Sequence, residues 1–594
     1  MAGVFVLFSR KKKYLDLKLG FGLLNLFLLV PFAGHVLNGF SYVSNRWIWA
    51  YGMMIAYIFV KAYPELFTLT VGEKKKIFVM VVAYCVLALF AKAARTQRNM
   101  AGVLVLVLAV FTVTSFGNIF LQGKYMCGLL SALLVVSIML NVSYQYSYEK
   151  DYLSEFAAEE ESLDKLESNT DKAVLAAGDS GVYRYDQYGA LPYDNTSMYM
   201  GTNSTAYYFS LANPDINQFQ REMYINQTRD FCYSGFDART MLEVLSGVRY
   251  YVVPSGNSGL RPYGYNVCFN SGTLGAGGQY EVKCDAYEND SVLPLGFASD
   301  AVIPRSTYEA LEVTEKQQAL LQGIVVEDDK IPSALADTKT ETEFTDEDIS
   351  YMITDMHNVE LTDQGFTATE KKASVTLSFE GIPESETYFI LKGLQFSEEG
   401  KTLTQSKSRL HIDVTCGKIT KMITFLTRKN NFYSGVDDYL INAGYRDEKA
   451  DEITLTFHEK GTYRFDEMQI VCQPVKQIAG WTKSLKQDIL KDVVMDTNHI
   501  SGTLTADQEK LLCMTIPYSS GWRAYIDGVE TEILKADTMY MAVDVPEGTH
   551  QIKFYYCTPY LKTGAGLSGL GILSVIGIVI FRYRNGRKKQ KEME

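Results

Sequence analysis

The sequence predicts a multi-pass α-helical membrane segment plus a large extracytoplasmic α/β and β-sandwich region, closed by a C-terminal transmembrane helix. Three observations carry this expectation. Residues 561–581, LKTGAGLSGLGILSVIGIVIF, hold a single charge, Lys562, near their start, and an apolar run of that length spans a bilayer. Directly behind it stand Arg582, Arg584, Arg587, Lys588, Lys589 and Lys591, a basic cluster of the kind that stays in the cytoplasm. The remaining apolar runs crowd into the first quarter of the chain, while the middle has the composition of an ordinary globular protein.

Residues 1–147 are expected to be transmembrane helices, about five of them, preceded by a truncated stub at 1–8. The stub is too short to span, and its basic residues follow the apolar run, the reverse of a signal peptide. The spans fall at roughly 17–37, 47–63, 77–94, 101–121 and 125–147. Arg10 to Lys13, Lys74 to Lys76 and Lys124 mark the inner loops, and Tyr144, Tyr146 and Tyr148 mark the outward exit of the last helix. Both ends of the polar middle therefore face outward, and the expected location is a cell membrane, crossed several times, with the large domain outside.

The two outer loops carry Arg46, Lys92, Arg95 and Arg98 and no Asp or Glu. Cations at an outer membrane surface suit the phosphate of a lipid-linked substrate. Anchoring to headgroups, or snorkelling from helix ends, is the competing reading.

Residues 148–345 read as a mixed α/β region, with short buried strands at 173–177 and 249–253, helical spacing at 307–323 and many tyrosines. Aromatic faces can stack on sugar rings, although such tyrosines more often serve core and turn packing. Residues 346–480 alternate like the strands of a β-sandwich, at 375–379, 388–392, 411–415, 422–426, 453–457 and 468–471. A small β module is expected over 481–558, entered through a helical linker at 481–494; within it Asp527-Gly528 supplies a two-residue hairpin turn. The transmembrane helix then covers 559–581 and the basic cytoplasmic tail 582–594.

The formal net charge of −12 argues against nucleic acid as a partner. Nine cysteines without a C-x-x-C pair suggest buried thiols more than a disulfide scaffold. The six histidines are scattered and no calcium or phosphate-cradling loop occurs, so no metal and no cofactor is expected. Asn195, Asn203 and Asn226 open glycosylation sequons. Gly564, Gly566 and Gly569 spell a dinucleotide fingerprint, but inside a membrane anchor they read as a small-residue packing face. Gly178-Asp179-Ser180-Gly181 has no arguable triad partners.

Several stretches resemble the YfhO-like bacterial membrane proteins: VLNGFSYVSNRW at 36–47, LEVLSGVRYYVV at 242–253, LPLGF at 293–297, MTIPYSSGWRAYIDGV at 514–529, VPEGTH at 545–550 and Thr558-Pro559. The likeness covers essentially the whole chain. It implies a larger protein similar to GT-C type glycosyltransferases, which attach sugars from a polyprenyl-phosphate donor to a cell-wall polymer such as lipoteichoic acid. It also implies a general base in a first outer loop that would precede Met1, so this chain is expected to be the C-terminal, catalytically incomplete portion. Its catalytic residue is therefore unassigned. The expected substrate-binding candidates are Arg46, Asn38, Asn45, Trp47, Lys92, Arg95 and Arg98; Arg46 stands foremost because it also lies in the family stretch. The alternatives are a non-catalytic membrane-anchored module that binds glycan or a partner, and, ranked last, a transporter-like component. The expected partners are the lipid bilayer, the polyprenyl-phosphate-linked sugar and the cell-wall polymer.

Overall fold

The computed structural model describes residues 2–10, 13–40, 43–90, 97–116, 123–145, 168–178, 181–189, 195–271, 283–336, 341–398, 400 and 407–591. The chain forms two compact units, Met1–Ser162 and Leu163–Glu594.

The first unit is helical: Ala2–Ser9, Leu15–Leu29, Pro31–Val36, Ile48–Ala62, Val71–Phe90, Gln97–Phe116 and Gly123–Gln145. The first expected span breaks after Leu29. Pro31 lacks an N–H and its ring would clash with the carbonyl one turn back, and the residue before it is driven out of the helical region; Val30 accordingly sits at φ −100°, ψ 108°. The N-terminal stub is a helix at the heart of this unit. Its Val4, Val6 and Leu7 are buried, packing with Leu17, Ile58, Ala62, Ile77, Val81, Leu106 and Val110. Among the described residues, one helix is by itself long and apolar enough to cross a membrane, and it lies at the other end of the chain, Leu561–Arg587.

The second unit is a large mixed α/β, many-sheet structure that ends in that apolar helix. Its first sheet orders Arg184–Gln187, Val248–Pro254, Cys284–Glu288 and Asn266–Phe269, the first pair parallel. The expected strand at 173–177 is instead the helix Asn169–Ala176. The Ser168 hydroxyl accepts from the Asp171 amide at 3.0 Å, an N-cap, and the Ala- and Leu-rich run behind it favours helix. The expected helix at 307–323 is two short ones, Arg305–Glu309 and Val313–Ala319.

The β-sandwich is present. The sheet Glu347–Asp348, Glu467–Pro474, Ser385–Lys392, Tyr439–Arg446 faces the sheet Tyr351–His357, Ala373–Phe379, Glu452–Phe457, Arg409–Cys416, Ile419–Leu426. Phe389, Leu391, Ile441 and Ile470 from one meet Val375, Leu377, Ile412, Val414 and Leu455 from the other in a single core.

A seven-stranded sheet draws on two separated stretches of chain. Its order is Asp488–Ile489, Gly296–Ser299, Lys510–Met514, Tyr540–Val545, Leu534–Ala536, Ile324–Val326, Val302–Pro304. Successive side chains of a strand point to opposite faces, and Lys510–Met514 shows the consequence. Leu511 and Cys513 join the largest core, with the helices, while Leu512 and Met514 pack against a second, five-stranded sheet through Ile500, Leu504, Ile552 and Phe554. The residues expected as a helical linker at 481–494 are divided between the end of the helix Ile478–Leu485 and the strands Asp488–Ile489 and Lys491–Asp496.

All nine cysteines are free; Cys232, Cys416, Cys472 and Cys513 are buried. The three sequon amides are engaged in hydrogen bonds to Tyr208, Tyr183 and Met422 carbonyls.

Candidate functional site

The candidates Asn38, Asn45, Arg46 and Trp47 fall together in the connection between the helices Pro31–Val36 and Ile48–Ala62. The Asn38 and Phe40 amides donate to the His35 carbonyl at 3.2 and 2.9 Å, so the helix end folds into a turn. The descending arm returns close to the same helix: a Cβ added at Gly34 would lie 3.1 Å from the Ser44 carbonyl oxygen and 3.4 Å from Asn45 Oδ1. Trp47 is buried, its ring edge-on to Phe27 at 6.2 Å. Asn45 and Arg46 are exposed and Asn38 is half-buried. Lys92 and Arg95 lie outside the described residues, and Arg98 is placed in the first turn of the helix Gln97–Phe116. The structure thus brings four of the seven candidates into one loop.

A second polar cluster joins residues that the sequence presents only as a charge run. Glu65 follows Pro64 in a short 3-10 turn and is nine-tenths buried. It ion-pairs with Arg10 and Lys13 and accepts from the Tyr14 hydroxyl at 3.0 Å. Arg10 also reaches Glu73 at 3.3 Å and the Thr68 hydroxyl at 3.1 Å. The hydrogen bond from Lys13 leads the causes that hold the Glu65 carboxyl below its ordinary value, outweighing the opposing desolvation. Its partners account for all its charge, so this cluster ties the stub to the turn after the helix Ile48–Ala62.

The second unit buries three carboxyls together with a guanidinium. Glu386 accepts from the Thr240 amide at 3.1 Å, the Thr240 hydroxyl at 2.6 Å and the Tyr388 hydroxyl at 2.5 Å. Arg239, fully buried, donates from Nε to Gln317 at 2.9 Å and from Nη1 to the Met223 carbonyl. Asp186 accepts the Phe236 and Gln187 amides at 2.9 and 2.7 Å. Burial raises Glu386 and Asp186. Glu243 is pushed well up, by burial first and then by the neighbouring Asp186. Strand residues of the sandwich and helix residues of the α/β region meet in this network, which stitches the two together. No sequence spacing pointed to it, because its members come from five separate stretches of chain. Among the described residues no group of His, Cys, Asp and Glu is arranged to hold a metal ion.

The sequence matches the family described as "Bacterial membrane protein YfhO" over residues 1–568. It is 24% identical over 609 aligned positions to the uncharacterized protein YfhO of Bacillus subtilis (strain 168), covering 99% of this chain and 65% of that protein. The chain therefore spans about 65% of the length of the curated relative it matches. Among solved structures, a mutant of the arabinofuranosyltransferase AftD from Mycobacteria aligns at a TM-score of 0.31 and 7% identity, over 78% of this chain and 68% of that one. Another structure of AftD aligns at 0.14 and 7% identity, over 56% of this chain and 31% of that one. At such scores the structural likeness carries no argument. The family match is of a different order: it runs from the first helix into the C-terminal apolar helix and includes the Asn38–Trp47 loop, and on it the chain belongs to the YfhO family of bacterial membrane proteins.

Proposed function

We propose that this chain belongs to a membrane glycosyltransferase-like protein whose second unit lies outside the cell, and that the protein moves a sugar from a polyprenyl-phosphate donor to a cell-wall polymer such as lipoteichoic acid. The observation that carries the reading is the loop at 37–47: an exposed Arg46 beside a buried Trp47, on a turn seated against Gly34. When the bond between sugar and phosphate breaks, negative charge grows on the leaving phosphate. A guanidinium at that position stabilises it through charge-assisted, bidentate hydrogen bonds. Asn38 and Asn45 supply neutral donors at the same turn, and Lys92, Arg95 and Arg98 would add cations from the next outer loop. The apolar helix with its basic tail supports the outward placement.

Membranes carrying the full-length protein with Arg46→Ala, supplied with radiolabelled polyprenyl-phosphate sugar, test the role. Transfer is expected to fall about a hundredfold, the effect of removing one transition-state donor, and Arg46→Lys to restore part of it. Unchanged transfer in Arg46→Ala removes the residue from the donor site.

A further inference from the structure

The C-terminal helix leaves the second unit at one end of a five-stranded sheet, and the two ends of that sheet differ in chemistry. Its strands run in the order Lys491–Asp496, His499–Ala506, Gly548–Tyr556, Trp522–Ile526, Val529–Thr531. The strand Gly548–Tyr556 delivers the chain to the helix Leu561–Lys591 with only Cys557 to Tyr560 between them. Residues 561–587 of that helix are long and apolar enough to cross a bilayer, which places lipid headgroups around its first turn. At the far end of the sheet, where Ala506 pairs with Gly548, the turns expose Asp507, Gln508 and Glu547. At the near end Met495 and Tyr555 are exposed, and Tyr560 is 85% exposed.

A run of hydrogen bonds brings a distant loop to this near end. The Tyr556 amide donates to the Asn498 carbonyl at 2.9 Å, and the Cys557 amide donates to the Gly521 carbonyl at 2.9 Å. The Trp522 amide donates to the Ser519 carbonyl at 3.1 Å, so residues 519–522 turn tightly beside the start of the helix. Next to that turn, the Tyr518 carbonyl accepts from the Asn213 side-chain amide at 3.0 Å. Asn213 also caps the helix Pro214–Glu222, which fixes the loop in front of it. In that loop Phe209 is 54% exposed and Leu211 is 75% exposed. Exposed apolar side chains scattered singly need no explanation. Gathered around the start of a membrane helix, opposite a charged end, they mark a surface that meets lipid.

We propose that this end of the second unit rests in the bilayer interface from which the helix Leu561–Lys591 emerges. Phe209 and Leu211 enter the upper edge of the hydrocarbon. Tyr555 and Tyr560 sit at headgroup level, where an amphipathic ring keeps its hydroxyl wet. Asp496 and Lys553 stand exposed on the same sheet with opposite charges, so the contact is apolar and works on zwitterionic lipid. This second point of attachment holds the unit at one height, where a single tether would let it swing. The contact stands whether or not the protein transfers sugar at the Arg46 loop.

Tryptophan quenching tests it on the full-length protein in liposomes of phosphatidylcholine, plain or brominated in the acyl chains. Leu211→Trp and Phe209→Trp place the probe in the loop, and Glu547→Trp places it about 30 Å away along the strand Gly548–Tyr556. The emission of the added ring is the difference from the unsubstituted protein in the same lipid. For Leu211→Trp and Phe209→Trp it is expected to fall at least about twofold in brominated against plain lipid, because the ring reaches the boundary of the acyl chains. For Glu547→Trp it is expected to stay unchanged. Circular dichroism and the thermal midpoint confirm that each variant is folded. Quenching in the loop no greater than at position 547 overturns the proposal. Blue-shifted emission without quenching overturns it too, because protein and not lipid then covers the loop.

Discussion

Glu243 shows at the scale of one residue how burial sets a pH response. Its carboxyl and that of Asp186 are raised in the folded protein, by burial before any other cause. An acid whose folded pKa exceeds its unfolded value contributes fully at low pH and loses that contribution as pH climbs toward the folded value. Stability of the second unit is therefore expected to decline from about pH 4.5 upward, by up to about 1.4 kcal/mol per pH unit for each proton retained only in the folded state. Glu243→Gln, which keeps shape and removes the titration, should flatten that slope; thermal midpoints at several pH values in both proteins check this. Gly235 belongs to the same arrangement. Its φ is +81°, and a Cβ there would collide with the Asp186 carboxylate. None of this was legible in the sequence, where Asp186, Gly235 and Glu243 are ordinary polar and small residues. The sequence singles out the Arg46 loop because its residues are contiguous and the loop carries no acid.

Elements with a local cause were read well. The hairpin at Asp527-Gly528 forms with φ of +52° and +86°, joining Trp522–Ile526 to Val529–Thr531, as its turn chemistry demands. Asp527 is further fixed by the Gln551 amide at 2.8 Å and His550 at 2.7 Å. Gly528→Val is expected to destabilise the second unit by about 1–3 kcal/mol, because a branched side chain is strained at positive φ; denaturant unfolding measures it. The sandwich strands were equally plain from alternation. The segment at 173–177 was misjudged because a short buried apolar run fits either period, and the cap at Ser168 decided it. The two-sided burial of Lys510–Met514 was hidden for a related reason: alternation cannot show which sheet covers each face.

At the scale of the whole molecule, the seven-stranded sheet makes the second unit interdependent. Gly296–Ser299 and Ile324–Val326 find their neighbours in Lys510–Met514 and Leu534–Ala536. A chain stopped at residue 480 would leave those strands with open, apolar edges. It is expected to lose protease resistance across 283–336 as well as its anchor, which limited proteolysis would reveal. Such long-range pairing cannot be read from composition, and the boundaries expected at 345 and 481 cut through this shared sheet. The apolar helix Leu561–Lys591 was readable, since about twenty apolar residues in a row are long enough to span a bilayer.

The placement of the second unit outside the cell is the claim on which the proposed chemistry turns, and Cys557 offers the most direct probe. This thiol is exposed and lies just ahead of the helix Leu561–Lys591. Intact cells treated with a membrane-impermeant maleimide should be labelled at Cys557, whereas the tail position in Glu594→Cys should react only after the membrane is permeabilised. Labelling of the tail in intact cells, with Cys557 protected until permeabilisation, would contradict the account.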